Sequence, residues 1–310
     1  MDKNSTANIL SENKISKLLR QIMPGCKLKA ISEVKGSFAN YTHIIEAAGP
    51  DGELKRFAVK RYAVFGNYDR GEKAIREYRA LEFVHKMSIP APRPVYLDGT
   101  GSVLGMPGIV TEYVDGKTNM SPRDPAGWVR NMADTLAKIH SLPCSLGRGS
   151  FMLDADREAA WFLRDGIVPD FMSTYPAGID VWNAANRIFK SLKQVDTSLV
   201  HIDYWPGNIL WAMERIAAVL DWEEAAYGDP AIDVAYARME ITIAGFSEAA
   251  QEFLEAYENR TGKPTANLLF WELAAAARPM FSPQTWDIEN GPRKAAFENF
   301  IKGSLQKAAL

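Results

Sequence analysis

Cysteine and histidine are scarce in this chain. Its two cysteines, Cys26 and Cys144, stand far apart and outside any metal-ligand spacing, and its four histidines do not cluster. A disulfide framework is therefore not expected, and two free thiols in a reducing compartment are the simplest account. Long apolar runs are missing too: none approaches the ~18 residues that a membrane span needs. The opening Met1-Asp2-Lys3-Asn4-Ser5 lacks the apolar core of a secretory signal. There is no internal repeat and no low-complexity segment. A surplus of one charge is also absent, with a formal net charge of −2, so nothing asks for nucleic acid as a partner. The expectation is a soluble cytoplasmic protein engaging neither membrane nor nucleic acid.

What the chain has is size and an ordinary core composition. Its 310 residues, 47% of them hydrophobic and 24% charged, suit one large domain or two lobes. Charge is divided unevenly. Residues 1–115 carry 17 basic and 13 acidic side chains, and the remainder 19 and 25. A basic first part suits an anionic ligand such as a triphosphate, and an acidic second part suits a cationic one.

Periodicity predicts an amphipathic helix over 8–22, with Ile9, Leu10, Ile15, Leu18, Leu19 and Ile22 on one face. Strands are expected at about 28–34, 39–47 and 54–62, the last two joined through the turn Gly49-Pro50-Asp51-Gly52. A charged helix from about 70 to 87 ends before Pro90, Pro92 and Pro94. The apolar strand Gly108–Val114 then leads into Asp115-Gly116, which reads as a hinge. Helical patterns dominate afterwards, at about 124–141, 156–165, 180–194, 230–243, 247–260, 265–277 and 292–308. Short apolar stretches at 199–202, 208–212 and 216–220 interrupt them. The division expected is 1–116 and 117–310, a strand-rich lobe followed by a helix-rich one, and two lobes imply a cleft for ligands.

The densest chemistry lies in His201-Ile-Asp203-Tyr-Trp-Pro-Gly-Asn208-Ile-Leu-Trp211, followed by Ala217-Ala-Val-Leu-Asp221-Trp-Glu223. Asp203 and Asn208 sit on a short loop with the turn pair Pro206-Gly207, and Asp221 ends the second strand of a hairpin. A hard divalent cation takes oxygen ligands, and Mg²⁺ usually takes only one or two protein carboxylates beside phosphate oxygens and water. Asn208 and Asp221 fit that need, and Asp203 suits a group that takes the proton of an acceptor hydroxyl.

The spacing Asp203-x-x-x-x-Asn208, with Asp221 13 residues later, matches the catalytic loop and metal-binding pattern of protein-kinase-like enzymes. Together with Gly228-Asp-Pro-Ala-Ile-Asp233-Val-Ala235, it resembles the aminoglycoside phosphotransferase family and its choline-kinase relatives. His201-Ile202-Asp203 and Asp221-Trp222-Glu223, in place of His-Arg-Asp and Asp-Phe-Gly, favour this small-molecule branch. So does the lack of an Ala-Pro-Glu ending to an activation segment. The resemblance implies an α+β, two-lobed protein-kinase-like fold, with an antiparallel-sheet N-lobe that binds nucleotide and a mainly helical C-lobe that carries catalysis and the acceptor. It implies transfer of the γ-phosphate of ATP or GTP, with Mg²⁺, to a small-molecule hydroxyl. Asp203 would be the catalytic residue, Asn208 and Asp221 the metal ligands, and Asp233 a structural brace. His201 reads as a packed loop anchor.

In the first lobe, Lys60 interrupts the apolar strand Phe57-Ala-Val-Lys60-Arg-Tyr62 and needs a reason to be there. It resembles the Val-Ala-Ile-Lys strand of kinases, whose lysine holds the nucleotide phosphates and pairs with a helical glutamate. Glu77 is the preferred partner, because Glu72 and Glu82 are five residues from it on either side and face elsewhere. The phosphate-covering segment would be Val34–Asn40, where Gly36 and Ser37 let backbone N–H groups approach phosphates. By resemblance, backbone groups of Thr111 and Tyr113 would hold the purine.

Acceptor selection is expected from residues 150–195 and the C-terminal helices. Acidic and aromatic side chains mix there, among them Asp154, Asp156, Trp161, Phe171, Trp271, Glu272 and Trp286. Such a mixture suits an amine or a sugar, as in an aminoglycoside-like acceptor. The alternatives are a kinase of choline, a hydroxy amino acid or a sugar, and a catalytically inactive nucleotide-binding module on the same fold.

Overall fold

A computed structural model describes residues 10–34, 40–63, 69–144 and 152–310. It divides into two compact units, the first made of Met1–Asp115 with Ala217–Glu224 and the second of Gly116–Ile216 with Ala225–Leu310. Gly36 and Ser37, the expected phosphate-loop residues, lie outside the described residues.

The first unit is built on a five-stranded antiparallel sheet in the order β1-β2-β3-β5-β4. Its strands are β1 (Lys27–Glu33), β2 (Asn40–Ala48), β3 (Leu54–Tyr62), β4 (Pro94–Asp98) and β5 (Gly108–Glu112), with helices α1 (Glu12–Ile22) and α2 (Arg70–Lys86). The turn between β2 and β3 closes as its composition requires. The N–H of Gly49 bonds the carbonyl of Glu53 at 2.8 Å, and Gly52 adopts φ +84°, a conformation glycine tolerates best. Ile15, Leu18 and Leu19 of α1 recur at helical spacing and pack with Ile45, Phe57, Val59 and Val110 of the sheet. Asp69 caps α2 by accepting from the N–H of Glu72 at 3.0 Å.

Strand β4 is absent from the sequence reading, which treats the prolines after α2 only as helix breakers. It forms because β4 lies at the sheet edge, where the missing N–H of Pro94 costs no ladder bond. The segment 217–224 joins this unit through the N–H of Val219, which donates to the carbonyl of Pro90 at 2.8 Å.

The second unit is mainly helical. Its helices are α3 (Pro125–His140), α4 (Ala155–Ala159), α5 (Asp170–Ser173), α6 (Gly178–Phe189), α7 (Ala231–Ile243), α8 (Ser247–Thr261), α9 (Leu268–Phe281), α10 (Pro283–Trp286) and α11 (Gly291–Ala308). Short strands β6 (Leu153–Asp154), β7 (Ser198–Val200) and β10 (Ala226–Gly228) form a sheet in the order β6-β10-β7. Strand β8 (Ile209–Ala212) lies in this unit, and β9 (Arg215–Val219) runs out of it into the segment 217–224 of the first. Every residue of α7 is buried, including Asp233, Arg238 and Glu240, so this helix is the axis of the unit. Its ionic groups are paired as burial demands: Arg238 bonds Glu272 of α9 at 2.9 Å and the carbonyl of Ala250 at 2.7 Å. The helix expected over 156–165 ends instead at Ala159 and gives way to a 3₁₀ turn at Trp161–Leu163. No helix among the described residues is long and apolar enough to cross a membrane.

Candidate active site

Lys60 lies two residues from the end of β3. Its ammonium sits among three carboxylates, Glu77 at 2.7 Å, Glu223 at 3.0 Å and Asp221 in a short contact. Burial alone would lower its pKa, but these carboxylates outweigh burial and hold the ammonium charged well above the ordinary lysine value. Glu77 also accepts a short bond from the Tyr62 hydroxyl. Burial raises the Glu77 carboxyl to about 7 against the pull of Lys60. Glu72 and Glu82, the rejected partners, are exposed, and Glu82 pairs with Arg79 at 2.7 Å.

Glu223 is the best-satisfied member of this cluster. One oxygen accepts from Asn40 at 2.6 Å and faces Lys60, and the other accepts from Lys73 at 3.1 Å. Its backbone carbonyl takes the Arg76 guanidinium at 2.7 Å. Burial would raise the carboxyl, yet Lys60 and Lys73 win and hold it at about 2. Glu77, Asp221 and Glu223 each present an oxygen within 4.8 Å of the others, a donor set of the hard kind that Mg²⁺ accepts.

In the second unit the loop after β7 presents Asp203 and Asn208. The Asn208 amide donates to the Asp203 carboxylate at 2.7 Å and to its backbone carbonyl at 3.0 Å. The loop is strained where it leaves the strand. Ile202, a β-branched residue, sits at φ +69°, at a cost of about 1–3 kcal/mol. The buried Asp233 carboxylate holds it there, accepting from the N–H groups of His201 at 2.7 Å and Ile202 at 2.6 Å. His140 Nε2 lies 3.0 Å from the same carboxylate, and its Nδ1 lies 2.7 Å from the Tyr257 hydroxyl. The Asp233 carboxylate can only accept, so Nε2 is the ring's donor to it. His201 is fully buried, in keeping with a packed anchor.

Asp203 has two further neighbours. Arg278 of α9 approaches it at 3.4 Å and lies over the Tyr236 ring, and the Tyr236 hydroxyl bonds it. Glu240, one turn beyond Tyr236, is buried and accepts from the Trp286 indole at 2.5 Å. Burial raises its carboxyl to about 7, Trp286 opposing and Asp203 adding to the rise.

Thr111 is buried within β5, paired to Ala58 and Pro94 on the two flanking strands. The Tyr113 N–H already donates to the Arg56 carbonyl at 3.1 Å. The structure thus brings Lys60, Glu77 and Asp221 together in the first unit and Asp203 with Asn208 in the second. Sequence reasoning missed Lys73, the partner role of Glu223, and Arg278. Lys73 stands one turn before Glu77 on the same helix face, and Glu223 is two residues past Asp221, so each was visible as a residue but nothing local paired them. Arg278 carried no local signal.

The chain is similar to phosphotransferases in sequence and in fold. It belongs to the phosphotransferase enzyme family, whose model matches residues 31–269. Solved structures of the same fold include a choline kinase, LicA, from Streptococcus pneumoniae (TM-score 0.60, 18% identity, covering 95% of this chain and 97% of that one). Another is the macrolide 2'-phosphotransferase MphH from Brachybacterium faecium (TM-score 0.61, 18% identity, 93% and 98%). Acyl-CoA dehydrogenase family member 11 of Rattus norvegicus is 27% identical over 184 residues, which is 54% of this chain and 23% of that protein. Family member 10 of Mus musculus is 24% identical over 221 residues, 63% and 19%. The chain thus spans about a quarter or less of the length of these curated relatives.

Proposed function

We propose that the chain transfers the γ-phosphate of ATP or GTP to a hydroxyl of a small molecule. The observation that carries this reading is the buried Lys60–Glu77 pair at 2.7 Å with Asp221 against the same ammonium. Burying these charges carries a desolvation cost, and such clusters concentrate at functional sites.

In this reading residues 1–116 form the nucleotide-binding lobe and 117–310 the catalytic and acceptor lobe. Lys60, oriented by Glu77, neutralises phosphate charge. Gly36 and Ser37 supply backbone N–H groups to the phosphates, and the segment of Thr111 and Tyr113 borders the purine. Asn208 and Asp221 would hold Mg²⁺, which supplies positive charge to the phosphate oxygens. Asp203 orients the acceptor hydroxyl and takes its proton, and Asn208 and Tyr236 fix the carboxylate for that task.

The acceptor follows from what surrounds Asp203. Three of the acidic residues that favoured a cationic acceptor are engaged elsewhere: Glu272 with Arg238, Asp154 as the cap of α4, and Asp156 with the N–H of Asp229. The fixed charge beside Asp203 is Arg278. This supports an acceptor that is neutral around its reacting hydroxyl, such as a sugar, over one with an amine there.

The test is nucleoside-diphosphate release with Mg-ATP and Mg-GTP across hydroxylated sugars, amines and antibiotics. Acceptor-dependent release is expected, and Asp203→Ala should lower it by about 10²–10⁴-fold while leaving nucleotide affinity within a few-fold. A wild-type chain that binds neither nucleotide overturns the reading.

A further inference from the structure

The cluster around Lys60 holds more carboxylates than its proposed reaction needs. Glu77, Asp221 and Glu223 all touch one ammonium, and all three could be taken for metal ligands. Their surroundings differ. The side chains of Glu77 and Glu223 are 5% and 10% exposed, and that of Asp221 is 36% exposed. Glu223 has both oxygens engaged, by Lys60 and Asn40 on one and Lys73 on the other. Among the described residues, Lys60 is the partner shown for the Asp221 carboxylate.

We infer that Lys73 and Glu223 are positioning residues that divide the labour of this cluster. Lys73 and Asn40 pin Glu223 as a permanent acceptor for Lys60, so that Asp221 alone exchanges the lysine for a cation. The inference rests on the function proposed above. An ammonium has three N–H donors, and here each faces a carboxylate. When Asp221 turns to a cation, one donor is released toward phosphate, and the other two stay fixed by Glu77 and Glu223. That outcome requires Glu223 to remain in place.

Geometry makes α2 the element that enforces this. Lys73, Arg76 and Glu77 lie on one face of the helix, three and four residues apart. They hold, in turn, the Glu223 carboxylate, the Glu223 backbone carbonyl and Lys60. Asn40, at the start of β2, completes the grip from the sheet. Without Lys73 the cluster would keep three carboxylates and lose one of two ammonium groups. Glu223 would then compete with phosphate for Lys60 and with Asp221 for the cation.

The experiment is calorimetric binding of a Mg²⁺–non-hydrolysable ATP analogue, with thermal unfolding measured in parallel. Lys73→Met should weaken binding about tenfold, a loss of about 1.4 kcal/mol. Lys73→Arg should stay within about threefold of wild type. Adding Glu223→Gln to Lys73→Met should restore affinity to within about threefold, because glutamine removes the uncompensated charge and keeps an oxygen for Lys60 and Asn40. Wild-type affinity in Lys73→Met, or no recovery in the double variant, overturns the inference. Should Lys73→Met fail to fold, Glu223→Asp withdraws the carboxylate from Lys73 by one methylene and is expected to show the same loss. Unchanged binding in that variant is equally fatal. A wild-type chain that binds no analogue refutes the underlying function, and a folded Lys60→Met that still binds the analogue as tightly as wild type does the same.

Discussion

Lys60 is one positive charge among three carboxylates, so its removal does more than delete a phosphate contact. A buried ion pair broken from one side leaves its partners uncompensated and costs about 3–5 kcal/mol. Lys60→Met is therefore expected to lower the urea-unfolding free energy by about 3 kcal/mol, besides abolishing nucleotide binding. Pairing it with Glu77→Gln should recover part of the stability and none of the binding. Strict additivity of the two losses would show that the lysine and glutamate are not coupled. The pairing of Lys60 with Glu77 was legible through the resemblance to kinases, whose strand lysine pairs with a helical glutamate, and helix spacing set Glu77 apart from Glu72 and Glu82. Glu223 was visible as a letter of Asp221-Trp-Glu223, but its partners Asn40 and Lys73 are 183 and 150 residues away in sequence, and no local pattern joins them.

At the scale of elements, the loop bearing Asp203 depends on α7. Asp233, in the first turn of that helix, accepts from two backbone N–H groups of the loop and lies against His140. An asparagine there keeps the shape but offers one oxygen and an NH₂ that opposes a donor. Asp233→Asn is expected to cost about 2–3 kcal/mol of stability, since a buried donor loses its partner. It should also lower kcat more than nucleotide affinity, because it releases Ile202 from its strained conformation and lets Asp203 drift. Equal unfolding midpoints for variant and wild type would remove Asp233 as the brace.

The elements themselves were largely legible. Strands β1 to β3, β5 and the long helices follow from apolar period and turn residues. The elements missed are the short ones, β4, β6, β10, α5 and α10. These short strands and single helical turns lack an apolar run of their own to declare them. They are set by the neighbours that supply their hydrogen bonds, as β5 does for β4 and β7 for β10.

The whole molecule should register its buried acids in the pH dependence of its stability. Glu223, held at about 2 by Lys60 and Lys73, contributes stability above the ordinary glutamate value, and this is lost as pH falls toward 2. Glu240 works in the opposite sense. Its folded carboxyl titrates near 7, above its ordinary value, because burial disfavours the charged form. The folded state binds the extra proton between those values, so the contribution of Glu240 is full below about pH 4.5 and is lost as pH rises through 7. Glutamine at this position keeps an oxygen for the Trp286 indole and never ionises. Glu240→Gln should therefore match wild type at pH 4.5 and exceed it at pH 8 by up to about 3 kcal/mol in urea unfolding. Glu77, also raised to about 7, shapes the wild-type curve in the same direction, but it is common to both proteins and cancels in the difference. A gain of the same size at both pH values would mean that packing, not the buried charge, separates them. A loss at pH 8 would mean that the ionised carboxylate is held by Arg278 and Arg293 more strongly than burial opposes it.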